Sequence, residues 1–385
     1  MDIKEEALKK HKAWQGKIEV ISRVNIKSRE DLSLAYTPGV AEACLEIKND
    51  NKKSYELTRR GHLVAVITDG SAVLGLGNIG PEASMPVMEG KCVLLKEFAG
   101  VDAIPICLDT NDVDELVRTI YLISKSFGAI NLEDISAPRC FEIEKRLKEI
   151  CDIPVFHDDQ HGTAIVLGAA LYNAFKLTGR KLGDAKIVIN GAGAAGIAIA
   201  RHLINMKFGN VILCDINGAI YDGAENLNPY QAEMSKITNL FKEKGSLKDV
   251  IKNSDVFIGV SRANLVDEEM IKSMNHDSIV FPMANPIPEI MPSLAKSYGA
   301  RIVGSGRSDS KNQINNLLAF PGIFKGLLES SAKKVTEKMK IDASISIANI
   351  ISDTELNDDY IIPDPFDKRV VIKVSEAVKN NKDNF

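Results

Sequence analysis

The sequence predicts an α/β protein in two parts: an N-terminal α/β domain over residues 1–160 and a C-terminal, Rossmann-type doubly wound domain over residues 161–385. Three observations carry that expectation. Short apolar runs alternate with amphipathic helical stretches along most of the chain, the order from which parallel sheets are built. A glycine turn, NGAGAAG at 190–196, stands between a strand-like run and a helix-like one. And 385 residues suffice for two separate hydrophobic cores.

HLVAVITDG at 62–70 reads as a strand and runs into the glycine-rich turn LGLGNIGPEA. MPVMEGKCVLLKEFAG at 85–100 has the apolar spacing of a helix. VDAIPICLD (101–109) is a strand, VDELVRTIYLISKSF (113–127) an amphipathic helix, and GAINLEDI (128–135) a strand that ends in acids. CFEIEKRLKEI is a further helix and IPVFHDD a further strand. HGTAIVLGAALYNAFKLTG (161–179), rich in alanine and apolar residues, predicts a well-buried helix, and the domain boundary is placed at its start. KIVINGAGAAGIAIARHLINM (186–206) then gives strand, turn and helix. NVILCDING (210–218), DVFIGVS (255–261), SIVFPMANP (278–286) and ARIVGSG (300–306) add short buried strands. The tail after PDPFDKRV is a candidate to pack back on the first domain.

Composition narrows the function. Hydrophobic content of 45% and charged content of 26% are those of an ordinary globular protein. A net charge of −4 supplies no broad basic field, which argues against nucleic acid and anionic membrane as partners. The six cysteines (Cys44, Cys92, Cys107, Cys140, Cys151, Cys214) never form CxxC, so they are expected to be buried, reduced thiols. The N-terminus is charged and helix-like without a signal-peptide core, and no apolar run approaches a membrane span. A cytoplasmic protein is expected.

The turn after KIVIN matches GxGxxG at Gly191, Gly193 and Gly196, with Ala194 and Ala195 between the last two. Alone the pattern is weak. Here it follows a strand, opens a helix and precedes Asp215 at the end of the next strand, as a dinucleotide fingerprint requires. The first glycine allows the turn, the second lets backbone approach a pyrophosphate, and the third lets helix and strand pack closely. Asp215 would accept hydrogen bonds from a ribose hydroxyl and repel a 2′-phosphate, which favours NAD while leaving NADP possible.

Glu133 and Asp134 end one predicted strand, and Asp158 and Asp159 the next. Either pair alone reads equally as helix-capping or solvated turn acids. Together, beside a dinucleotide fold, they suit a hard cation, Mg²⁺ or Mn²⁺. His157 and His161 are expected to be scaffold rather than zinc ligands. Tyr36 precedes a Pro–Gly turn, where it is either a packed surface aromatic or a proton donor. Lys91 opens an apolar helical run; it is either a snorkelling lysine or a base whose pKa burial depresses. Asn285, Asn315 and Asn316 stand beside turns and together could recognise a carboxylate and a carboxamide.

With YTPGV, TDGSAVLGLGNIG, MEGK, LEDI, FHDDQHGTA, GAGAAG, ANPIPE and NQINNLLAFPG in order, the chain resembles the malic enzymes, in their small prokaryotic form. The resemblance runs from about residue 15 to 325. It implies oxidative decarboxylation of (S)-malate to pyruvate and CO₂, reduction of NAD(P)⁺, a need for Mn²⁺ or Mg²⁺, and a homodimer whose N-terminal domain binds substrate. By the same resemblance Glu133, Asp134 and Asp159 are the metal ligands, Lys91 the general base, Tyr36 the general acid and Asp158 the partner of the lysine. Asn285 and Asn315 fall where the family binds malate and the nicotinamide end, and Gly191, Gly193, Gly196 and Asp215 fall in its dinucleotide turn.

Two departures stand out. Larger malic enzymes carry a substrate-binding arginine after TDG, where this chain has Ser71 and Ala72. The proline usual before NQ is replaced by Lys311, a change expected to alter only a loop. Two other readings compete. An amino-acid dehydrogenase would not need the carboxylates, and an NAD(H)-sensing regulator would need neither Lys91 nor Tyr36. A tyrosine so near the N-terminus could also reach across a dimer interface.

Overall fold

The computed structural model describes residues 3–73 and 75–381. Four short helices come first: α1 (Ile3–Trp14), α2 (Arg29–Ala35), α3 (Val40–Asn49) and α4 (Ser54–Leu57). The first sheet follows, with β1 (Leu63–Thr68), α5 (Gly80–Ala99), β2 (Asp102–Cys107), α6 (Val113–Ile123), β3 (Ala129–Leu132), α7 (Arg139–Ile150) and β4 (Val155–His157). Its strands are ordered β2-β1-β3-β4 and all run parallel. The β–α alternation forces that arrangement, because each helix returns the chain to the same sheet edge.

The long helix α8 (Asp158–Thr178) leads to the second sheet. There β5 (Ala185–Asn190), α9 (Ala194–Asn205), β6 (Gly209–Asp215), β7 (Gly218–Ala219), α10 (Pro229–Ser235), α11 (Leu247–Val250), β8 (Val256–Gly259), α12 (Glu268–Lys272), β9 (Ile279–Pro282), α13 (Pro292–Ser297) and β10 (Ile302–Val303) follow one another. The order is β10-β9-β8-β5-β6-β7, parallel except for β7. The chain enters at β5 and winds to both sides, so the crevice between the ends of β5 and β8 is the switch point where such sheets take ligands.

Fourteen of the 21 residues of α8 are buried, which makes it the central helix of the molecule. One continuous core runs from Val64, Met88 and Phe156 through Ile165–Ala174 to Ile187 and Phe281. Three closing helices, α14 (Phe320–Ser330), α15 (Glu337–Ala348) and α16 (Lys368–Lys379), complete it. α16 packs on α14 and α15 and also reaches α5, and the Phe366 ring lies 5.7 Å from Phe98.

Three helix bounds differ from the sequence expectation by three residues or more. α5 starts at Gly80 rather than 85, because Pro81 sits in the first turn, where its missing N–H costs nothing. α6 stops at Ile123 and tightens into a 3₁₀ turn over 124–126. α8 starts at Asp158, so both aspartates occupy its first turn, where the helix dipole favours negative charge. The thiols also differ. All six are free, but Cys44 is exposed and Cys107 only half-buried. Among the described residues no helix is long and apolar enough to cross a membrane.

Candidate active site

Parallel pairing of β3 with β4 sets Leu132 opposite His157. The residues that follow, Glu133–Asp134 and Asp158–Asp159, therefore emerge side by side. Asp134 takes a left-handed φ of 54°, and its backbone N–H donates to Asp159 Oδ2 at 2.8 Å. Carboxylate oxygens of Glu133, Asp134 and Asp159 all lie within 4.8 Å of one another. Asn131 steadies the set by donating to Glu133 Oε2 at 2.8 Å.

Burial, followed by mutual repulsion, raises these acids. Asp134 is pushed up to about 8 and Asp159, against the pull of Lys91, to about 6; Glu133 is raised as well. Three crowded carboxylates of this kind are ready to exchange protons for a cation. Every donor is oxygen, which suits Mg²⁺ or Mn²⁺ better than zinc. Neither histidine hydrogen-bonds to the three acids, although His157 Nδ1 lies 3.7 Å from Asp159 Oδ2. His157 is fully buried with neither ring nitrogen hydrogen-bonded, and burial lowers its pKa. His161 Nε2 contacts Glu144 Oε1 at 2.9 Å.

Lys91, from the middle of α5, reaches the same place and is 8% exposed. Its Nζ lies 2.6 Å from Asp158 Oδ2, 2.8 Å from Glu133 Oε1 and 4.2 Å from the centre of the Phe320 ring. Here the sequence expectation fails in sign. Burial does push the lysine down, but Asp158 and Glu133 push it up by more, so its pKa is raised well above the usual ammonium range. Burial raises Asp158 to about 7 against the pull of Lys91. Asp158 Oδ2 also accepts from Asn316 Nδ2 at 2.6 Å, while its buried Oδ1 has no hydrogen-bond partner. One turn along α8, a Cβ on Gly162 would lie 1.8 Å from that Oδ1. Only glycine leaves room for Asp158 there.

The start of α9 is built differently. Gly191 has φ +121°, and a Cβ on it would meet Val260 O at 2.6 Å. A Cβ on Gly196 would lie 1.7 Å from Gly191 O. Around Gly193 there is nothing within 4 Å of the Cβ position, so the space above the helix start is open. No side chain caps α9, and Ala194 and Ala195 leave its first N–H groups facing outward from a bare turn. An anionic pyrophosphate fits that cradle. Asp215 ends β6 and accepts from Asn217 N at 2.8 Å through Oδ1.

The chain matches the malic enzyme N-terminal domain over residues 15–148 and the malic enzyme NAD-binding domain over residues 160–381. The chain belongs to the malic enzyme family. It is 57% identical to the bifunctional malic/malolactic enzyme of Bacillus subtilis, over 98% of this chain and 92% of that one. It is 55% identical to the NAD-dependent malic enzyme of Geobacillus stearothermophilus, over 94% of this chain and 76% of that one. The crystal structure of an NAD-dependent malic enzyme from Thermotoga maritima superposes with a TM-score of 0.93 at 47% identity, covering 97% of this chain and 98% of that one.

For a malic enzyme, the remaining site residues are placed unevenly. Asn285 is exposed and joined to Pro286 by a cis peptide. A Cβ on Gly75 would lie 3.6 Å from Pro286 Cδ, so the glycine turn after β1 faces this loop of the second sheet. Asn315 Oδ1 caps a 3₁₀ turn by accepting from Leu317 N at 2.9 Å. Its neighbour Asn316 is the amide that reaches Asp158. Tyr36 stands apart, 67% exposed and without a side-chain hydrogen bond among the described residues. At the position of the absent arginine, Ala72 N donates to Asp134 O at 2.9 Å. Arg139 reaches the same turn, but its guanidinium is held by Asp69, Asn111 and Ser136.

Two residues escaped the sequence reading. Phe320 lies beside Lys91 although it is distant in the chain. Glu289 is fully buried and accepts from Ser261 N at 2.8 Å and Ala284 N at 3.0 Å, tying together the ends of β8 and β9. No local pattern announces either.

Proposed function

We propose that this malic enzyme oxidises (S)-malate and releases pyruvate and CO₂, with NAD favoured over NADP and a divalent ion required. The observation that carries this reading is the buried Lys91, on α5, between Asp158 and the three-carboxylate cluster. Glu133, Asp134 and Asp159 would hold Mn²⁺ or Mg²⁺. When bound, the ion would polarise the C2 oxygen and stabilise the charge left by departing CO₂, and the dinucleotide would accept the C2 hydride.

This chain's own residues then do the rest. Lys91 takes the proton of the C2 hydroxyl, for which it must be neutral. Glu133, once engaged as a ligand, no longer holds the lysine in its charged form, and Asp158 remains to orient it. Tyr36 returns a proton to C3. Because Tyr36 is exposed, we assign it to the site of a second subunit in a homodimer. Gly191, Gly193, Gly196, Ala194 and Ala195 hold the pyrophosphate, Asp215 the adenine ribose. Asn285 and Asn315 hold malate and, in the case of Asn285, the nicotinamide end. With Ala72 in place of arginine, the substrate carboxylate rests on the ion, amides and backbone. The division of labour falls near residue 160, with Lys91 and the metal ligands before it and the dinucleotide turn after it.

The test is NAD(P)H formation from malate with Mn²⁺, run with each dinucleotide, with and without EDTA. Pyruvate and lactate are both assayed. Turnover that EDTA abolishes is expected; no turnover with either dinucleotide overturns the reading. Mixing inactive Tyr36→Phe and Lys91→Ala proteins tests the shared site: activity should appear after subunit exchange, and unchanged zero activity counts against sharing.

A further inference from the structure

A cavity of about 460 Å³, lined by none of the site acids, Lys91 or the glycines of the α9 turn, opens between α7, α8, α9, α10 and the segment leading into α15. Its floor is polar. Gln160 is 3% exposed, and its Nε2 has no hydrogen-bond partner. Lys340 is 6% exposed; its Nζ meets Glu337 Oε1 at 2.5 Å and His161 Nδ1 at 3.4 Å, which leaves one of three N–H groups unused. Burial lowers the Lys340 pKa against the opposing pull of Glu337. A buried amide nitrogen without a partner and an ammonium with one N–H unused, both lining the cavity, are costly unless something accepts from them.

Part of the wall is apolar. Phe141 and Tyr230 stand with ring centroids 4.5 Å apart on one side, with Ile197 and Val335 also lining the space. The charged groups nearly cancel. Lys145, Lys148, Arg201, Lys334 and Lys340 face Glu144, Glu149, Glu233 and Glu337, and Lys148–Glu144 (2.7 Å) and Arg201–Glu233 (2.9 Å) are already paired. A phosphate would bring two charges towards four carboxylates. Lys340 is already paired with Glu337, but the lining holds five cations to four carboxylates, and a single added carboxylate balances the difference.

We propose that this cavity binds a small monocarboxylate with an apolar body, its carboxylate accepting from Gln160 Nε2 and Lys340 Nζ and its body resting against Phe141, Ile197 and Val335. Gln160 and His161 directly follow Asp159 on α8. An occupant therefore rests on the helical turn that carries the acids, and the cavity is a built position for an effector distinct from the substrate.

The probe is 4-bromobenzoate, measured by calorimetry on the whole protein and located by the anomalous signal of bromine in a crystal. The expected result is one bromine peak beside Ile197 and saturable binding in solution. Lys340→Met should weaken it by about tenfold, the worth of one charge-assisted hydrogen bond. Glu337, 52% exposed at its side chain, then returns to water, so the variant should fold. Val335→Trp, which fills the cavity from its loop side, should abolish binding. A bromine peak elsewhere, no binding at millimolar probe, or unchanged affinity in both variants overturns the proposal.

Discussion

α8 and α9 both begin where a parallel strand ends, and both present the positive end of a helix to a cleft. Their first turns are furnished in opposite ways. α8 opens with Asp158 and Asp159 and is crowded by Glu133, Asp134 and Lys91. α9 opens with Gly193, Ala194 and Ala195, and the space above Gly193 is open. The first start carries its own negative charge and so suits a cation. The second leaves its N–H groups bare and so suits an anion. The same backbone device serves either charge, and the side chains of one turn decide which.

The largest effect that tests this contrast is at Lys91, the residue bound to the charged start. Lys91→Ala should lower kcat for malate oxidation by about 10³-fold or more while leaving dinucleotide affinity unchanged. Retention of a tenth of the wild-type rate would sink its role as base. Next is Asp159→Asn, which should raise the Mn²⁺ concentration for half-activity by about 100-fold or more, since even groups one step behind a ligand cost 10–100-fold. A titration curve that does not move would remove Asp159 from the ligand set.

The bare start is tested by two glycines that should respond differently. Gly193→Val should fold normally, because nothing lies near its Cβ, yet weaken dinucleotide binding by about tenfold or more through blocked backbone donors. Gly196→Ala should instead lower the melting temperature, because its Cβ meets Gly191 O at 1.7 Å. Equal melting temperatures for the two variants would contradict the geometry.

The smallest effect is on stability against pH. Asp159 and Asp134 stand at about 6 and about 8, above the unfolded value of 3.8. A carboxylate raised on folding binds more protons in the native state. Its contribution to stability is therefore fully present below the unfolded value and lost as pH rises through the folded one. Metal-free protein should melt at progressively lower temperature between about pH 4 and pH 8, and Mg²⁺ should flatten that slope. α9 has no acid in its first turn, so Gly193→Val should leave the slope unchanged. A flat profile without metal would count against the crowding of the acids.

The two starts were not equally legible in the sequence. Everything the α9 turn needs is local: a strand, three glycines at fixed spacing and a helix, with Asp215 one strand later. The acids before and within α8 were visible as residues, but which of them meet depends on the register of β3 against β4, a property of two segments. The sign of the Lys91 shift was misjudged for the same reason, because burial can be guessed from one helix and two carboxylate neighbours cannot. Asn315 and Asn316 are adjacent amides, and only the geometry of the 3₁₀ turn decides that the first caps and the second reaches Asp158. The chain path over α1 to α4 left Tyr36 on the surface, one of the two readings that YTPGV allowed and one that a single segment could not decide.

The contacts of Lys91 with Phe320 and of Phe98 with Phe366 join segments that a ribosome makes far apart in time. The first sheet leaves the exit tunnel early, but α14 and α16, which cover α5, are translated late. Until they arrive, Met88, Cys92 and Leu95 lack part of the core that surrounds them in the finished chain, and Lys91 lacks its aromatic neighbour. The nascent first half therefore waits with an apolar helix face uncovered, the kind of surface on which chaperones act and aggregation begins.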